Sequence, residues 1–271
     1  MNEEHQQNET KFVDPGLPEK LSQQRAEEPK MSEVSTLLNI FFEPGRTFDD
    51  LRKKPRFVIG FIIIALLSTA FVLVFNAKMG EERMRGAIMA AASKNEQFEK
   101  LPNAQKQAAV DVQMKISKYT SYFVGVFIAI AFLLGALIYM LLTAAFGGKI
   151  KFSQALSVWV YSSFPPSVVS MIGNFIVLML KSPDDIDILA SQKGLLQANP
   201  SILISGSQMP VLATVLSNFD LFVIWGLILA AIGLQRVGKI SKGASWAIVI
   251  GINLLFLALR VVGALFSGNP S

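Results

Sequence analysis

Cysteine is absent from this 271-residue chain, and histidine occurs once, as His5 near the N-terminus. The first absence excludes disulfides, thiolate metal sites and thiol nucleophiles. The second leaves the rest of the chain without an imidazole ligand or base. Charge is scarce too. Asp, Glu, Lys and Arg make up 17% of the residues, against about 25% in an ordinary soluble domain. What the chain has instead is apolar: 52% of its residues, gathered in long runs. A helix that crosses a bilayer needs about 20 mostly apolar residues. Five runs meet that need, at about 57–76, 119–146, 155–180, 211–234 and 244–266. The expected fold class is therefore all-α, a polytopic membrane protein built as a five-transmembrane-helix bundle. The net charge of +5 does not point to nucleic acid. The basic residues stand beside the apolar runs, where membrane topology places them.

The stretch FSQALSVWVYSSFPPSVVSMIGNFIVLML (152–180) organises the rest. Pro165 and Pro166 lie near its middle. A proline removes one N–H and crowds the carbonyl four residues back, here those of Tyr161 and Ser162. In lipid such groups need partners from side chains, water or neighbouring helices. Ser162, Ser163 and Ser167 are the nearest. The third span is therefore expected to be kinked or broken between Tyr161 and Ser167. In an alternative, 152–164 lies along the interface and the true span starts at Pro165, but that leaves only about 24 Å of helix.

Residues 1–31 are polar, rich in Glu, Gln, Asn, Lys and Pro, and read as a disordered cytoplasmic tail. Met31 is an alternative start. Residues 32–56 carry Leu37, Leu38, Ile40, Phe41 and Phe42 before a Pro44-Gly45 break. Thr47 and Asp50 then fit a capping box. This segment reads as an interfacial amphipathic element. The polar loop 77–118 is expected to form a helical hairpin outside the membrane, its second arm continuous with the second span. Small residues at Gly125/Ala129 and Ala131/Gly135 permit close helix approach.

Loop charge sets the orientation. Arg46, Arg52, Lys53, Lys54 and Arg56 precede the first span, Lys149 and Lys151 sit in the second–third turn, and Arg236, Lys239 and Lys242 in the fourth–fifth turn. Short basic loops stay cytoplasmic. The N-terminus is expected inside and the C-terminus outside. Asp220 and Arg260 fall inside the fourth and fifth spans, and charges there usually face a partner or water. Counted from the short turn between those spans, both lie about 23 Å along their helices. Either they pair, with Asn174 and Asn218 completing a network, or each snorkels to the interface. The pair is the preferred reading. The structural or functional candidates are thus Tyr161, Pro165, Pro166, Asn174, Asp220 and Arg260.

Three stretches resemble one known family. They are IFFEPGRTFDDL (40–51), FSQALSVWVYSSFP (152–165), and FDLFVIWGLILAAIGL (219–234) with its exit turn GKISKGA (238–244). Together they resemble the Yip (Ypt-interacting protein) membrane domain in its bacterial form. The resemblance covers roughly residues 37–266 and none of its motifs is catalytic. It implies a five-span membrane protein that works through partners. Eukaryotic members bind Rab-type GTPases, but the Asp-Leu-Tyr-Gly-Pro element that precedes their first span is missing here. The expected role is a non-catalytic scaffold or adaptor in membrane organisation or trafficking-like processes, in the bacterial inner membrane. Its partners would be the lipid bilayer and another protein or a second copy, with no metal and no cofactor. The alternative is a small transporter or channel subunit built on the broken third helix. An intramembrane enzyme is disfavoured, since Asp220 is the lone aspartate inside a span.

Overall fold

Ser32 opens the first helix. Its backbone is extended and its hydroxyl accepts from Ser35 N–H at 3.1 Å, which satisfies one of the donors a helix start leaves unpaired. This helix, α1, runs Glu33–Phe42 and closes where Glu43 N–H donates to the Asn39 carbonyl at 2.7 Å. The next, α2, is Pro44–Lys53. Its start corrects the expected capping box. Proline suits a first helical position because no donor is needed there, so α2 begins at Pro44 and Thr47 lies inside it. The Thr47 hydroxyl instead donates to the Glu43 carbonyl at 3.0 Å. The computed structural model describes residues 31–204, 206 and 208–267. The polar tail expected over 1–31 falls outside them except for Met31.

Among the described residues, five helices are long and apolar enough to cross a membrane. They are α3 (Val58–Ala92), α6 (Val124–Ala145), α7 (Phe152–Leu180), α9 (Leu221–Gly238) and α10 (Lys242–Ser267). Shorter helices lie between them: α4 (Glu96–Glu99), α5 (Asn103–Tyr122) and α8 (Pro210–Ser217). The described residues contain no strand.

α7 is the central helix. It packs against α3, α6 and α9, and also against α1 and α2. It is a single helix of 29 residues with Pro165 and Pro166 inside. Its first turn is tied to α2 by Gln154, which accepts from Lys151 N–H at 2.9 Å and donates to the Arg52 carbonyl at 2.7 Å. α2 reaches the core as well. Phe48 and Leu51 are fully buried there, with Ile40 of α1. Phe41 meets Phe164 and Trp225 edge-on at 6.0 Å each. The segment expected to lie on the membrane surface is therefore docked in the bundle by one face. Its other face shows Val34, Leu38 and Phe42 in line, Phe42 at 82% exposure.

Small residues set the closest helix approaches. A Cβ on Gly135 would overlap the Trp159 ring, and one on Gly233 would stand 2.7 Å from Val158 and 3.0 Å from Phe48. Gly125 faces Ala65 and Thr69 of α3.

Three breaks differ from the hydropathy reading. The helix that carries the first span does not end at Asn76. α3 continues into the hairpin through Gly80, whose φ of 74° and ψ of 165° leave the helical region, a conformation glycine adopts without a Cβ penalty. The second arm, α5, is separated from α6 at Phe123. The hairpin is closed by an ion pair from Arg85 to Asp111, by Asn76 Nδ2 donating to Ser121 Oγ at 2.8 Å, and by buried Met79 and Val110. The fourth run, expected to be continuous, is broken at residues 218–220 into α8 and α9.

Candidate functional site

One end of the bundle carries α1, α2 and the turns around Lys149 and Lys239; it is called the basic end below. The opposite, hairpin end carries α4, α5 and the long connection 181–209. The candidate site lies at the hairpin end, where that connection folds back between α7 and the α8–α9 break.

Asp220 makes the break. An aspartate just before an apolar run is a helix N-cap signal, and its backbone is extended here. One carboxylate oxygen accepts from Phe222 N–H at 2.9 Å, capping α9. The other accepts from Ala198 N–H at 3.2 Å and Asn199 Nδ2 at 3.0 Å. Leu221 N–H donates back to the Ala198 carbonyl at 3.1 Å. The charge that looked embedded in a span thus holds three N–H groups of a helix start and a returning loop. The Asp220 carboxylate binds these N–H groups and not the Arg260 guanidinium, which corrects the expected ion pair. Arg260 Nη2 donates to Ser217 Oγ at 2.8 Å, tying α10 to the end of α8.

Asn174 holds the same loop from the other side. It is 3% exposed, and its Oδ1 accepts from the N–H groups of Leu195 and Leu196 while its Nδ2 donates to the Ser170 carbonyl at 2.8 Å. Gly194, at φ 109°, is required there, since a Cβ would stand 2.9 Å from Asn174 Oδ1. The side chain of Leu196 seats over Gly173, where a Cβ would overlap it.

The result is a half-enclosed cavity of about 740 Å³, within the ~300–1,000 Å³ of ligand pockets. Asn174, Asp220 and Arg260 all line it, with Ser170, Ser217 and Asn199. A shallower groove between α7 and α9 continues from it. Tyr139, Trp159, Ser163, Pro166, Ser167 and Gly226 line that groove. Cavity and groove share Ser170, Phe222 and Val223.

The structure therefore splits the six sequence candidates. Asn174, Asp220 and Arg260 come together at the cavity. Pro166 faces the groove. Pro165 is buried in α7. Tyr161 is fully buried in the main core, and its hydroxyl has no hydrogen-bond partner among the described residues.

A second polar cluster, at the basic end, escaped the sequence reading. Arg56, with a side chain 4% exposed, pairs with Asp50 at 2.6 Å and with Glu33 at 3.5 Å. It also donates to the Met31 carbonyl at 2.6 Å and to Thr36 Oγ1 at 3.3 Å. By sequence, Arg56 reads as one of the topology-setting cations and Asp50 as part of a cap. The available signal was Arg56 itself, a cation directly before an uncharged run that α1 and α2 could fold back to cover.

The three motif stretches occupy the elbow of α1 and α2, the first half of α7, and α9 with its exit turn. A family model for the Yip1 domain matches residues 38–265 and so takes in all three. The chain belongs to the Yip1 domain family. A membrane protein of Bacillus subtilis (strain 168), YknW, is 28% identical over 237 residues, covering 88% of this chain and 91% of that protein. No solved structure matches. Within this Yip1 domain, the cavity is formed by the second half of α7, residues 189–204 of the loop with Gly206, α8, the start of α9 and the end of α10.

Proposed function

We propose that this Yip1-domain membrane protein is a non-catalytic scaffold or adaptor that works by holding a protein partner, or a second copy of itself, in the bilayer. One observation carries the reading. The polar side chains at the candidate site are committed to backbone: Asn174 and Asp220 hold the 194–199 loop and the start of α9. A carboxylate fixed by three N–H donors is a structural clamp, because its lone pairs are already engaged. The basic turns favour an orientation with the basic end in the cytoplasm, which puts α1 and α2 on that side and the cavity outside. The inner membrane of a bacterium is the expected location.

Cross-linking in intact membranes, followed by purification of the full-length protein, tests this reading. The expected result is a discrete protein adduct from photoreactive residues placed at Leu38 or Phe42. A defined substrate conversion that disappears in a folded Asp220→Asn protein would overturn it. A reporter fused after Ser271 checks the orientation, and activity only in the cytoplasm would reverse it.

A further inference from the structure

The double proline of α7 creates a gap. Pro165 and Pro166 donate no N–H to the carbonyls of Tyr161 and Ser162, and Ser162 Oγ turns back to the Trp159 carbonyl at 3.0 Å. Across from them α9 places Gly226, where a Cβ would stand 3.7 Å from both Pro166 Cγ and the Ser162 carbonyl. A glycine facing a proline ring leaves a shallow groove along the surface of an otherwise packed seam. The groove has a polar edge of Ser163, Ser167 and Ser170 and an apolar wall of Trp159, Leu227 and Ala230. From Ser170 back to Trp159 it follows about 16 Å of helix, close to the ~15 Å half-thickness of a bilayer's hydrocarbon core.

The groove opens at its upper end into the cavity that Arg260 lines. Arg260 lies about 10 Å of helix before the end of α10 at Ser267, a depth that suits the boundary between acyl chains and headgroups. A guanidinium stays charged and offers a planar fork of donors that matches phosphate. The Ser170 and Ser217 hydroxyls in the cavity wall donate to the Ser167 and Thr214 carbonyls, so the guanidinium is the group that recognises the phosphate. The Asp220 carboxylate stands in the same wall, and the three N–H dipoles that point at it offset part of its field.

We propose that the seam between α7 and α9 holds one anionic phospholipid, its phosphate in the cavity beside Arg260 and one acyl chain along the groove past Pro166 and Gly226. A cation at headgroup depth opening into an apolar groove of one-leaflet length fits an amphiphile and not a small soluble anion. The site is independent of the scaffold reading and stands or falls on lipid binding alone.

The test uses the full-length protein reconstituted in bilayers doped with phosphatidylglycerol carrying a photoreactive group on its acyl chain. Adducts are expected on α7 and α9 around Ser163, Ser167 and Gly226. Unlabelled phosphatidylglycerol should compete, while phosphatidylcholine and inorganic phosphate should not. Arg260→Gln should weaken retention about tenfold, the usual scale of a lost charge-assisted hydrogen bond. Gly226→Leu should fill the groove and abolish the adducts. Adducts spread over the lipid-facing residues of α6 and α10, in the unaltered protein, would overturn the site whatever the variants do. Equal competition by phosphatidylcholine would overturn the headgroup assignment. Competition by inorganic phosphate alone would replace the lipid with a soluble anion.

Discussion

The two ends of the bundle solve the same problem in different ways. Each must place charge next to apolar helices. At the basic end the answer is charge against charge: Arg56 and Asp50, nearly closed off from solvent, with a half-exposed Glu33 beside them. At the hairpin end the answer is side chain against backbone: Asp220 and Asn174 grip loop N–H groups, and Arg260 bonds a serine. The first arrangement is compact and draws α1 and α2 into the core. The second spans a loop and leaves a cavity. A buried ion pair is brittle, because loss of one partner strands the other charge. A carboxylate shared among several N–H groups fails more gently, since each donor is neutral.

The largest expected effect breaks the comparison at its tight end. Arg56→Ala should destabilise the protein in bilayers by ~3–5 kcal/mol, because it takes the compensating cation away from the buried Asp50 carboxylate. Thermal unfolding of the reconstituted protein measures this. Asp50→Asn should cost less, since an amide still fits and carries no unpaired charge. A loss no greater than a surface substitution would mean that the cluster is solvated in the membrane.

Asp220→Ala should cost about 1–3 kcal/mol, the scale of a lost cap together with buried donors left unpaired. It should also raise hydrogen exchange at Ala198 and Phe222. The exchanged pair, Asp220→Arg with Arg260→Asp, should recover nothing, because the two side chains do not form an ion pair. Recovery beyond both single variants would restore the direct pair that the sequence favours.

Two glycines on α9 sharpen the contrast between packed and open halves. Gly233→Ala should destabilise by roughly 1–3 kcal/mol, as overpacking does, because its Cβ would press on Val158 and Phe48. Gly226→Ala should be neutral or slightly stabilising, since nothing stands closer than 3.7 Å and alanine is the better helix former. Equal losses at both positions would deny that the groove is open.

The smallest effect lies at the hairpin tip. A hydrogen bond from the Ser93 hydroxyl, then Lys106, holds the Glu99 carboxyl below its ordinary range. A carboxyl depressed in the folded state contributes stability above its unfolded pKa, about 4.3, and loses it as pH falls through the lower folded value. Protection factors near Glu96 and Lys106, with the intrinsic pH dependence of amide exchange divided out, should therefore fall in acid while those in α7 stay constant. A uniform response along the chain would place the weak point elsewhere.

The sequence by itself determined the five apolar helices, the elbow at Pro44, the double proline inside the central helix and the small-residue positions. Each is a local matter: hydropathy summed over a window, a missing donor, a missing Cβ. It also identified Asn174, Asp220 and Arg260 as the polar residues that needed explaining, and placed the last two at one depth by counting residues from a short turn. Their partners were decided by the tertiary structure alone. The hydropathy of 211–234 hides the break at residues 218–220, because a capped helix start inside an apolar run scores like continuous helix. The 194–199 loop returns from more than twenty residues away to meet Asn174 and Asp220, and nothing local announces it. Arg56 likewise finds Glu33 only because α1 and α2 fold back over the core. Where an apolar residue goes depends on its own chemistry; which groups satisfy a buried polar side chain depends on what packing brings within about 3 Å.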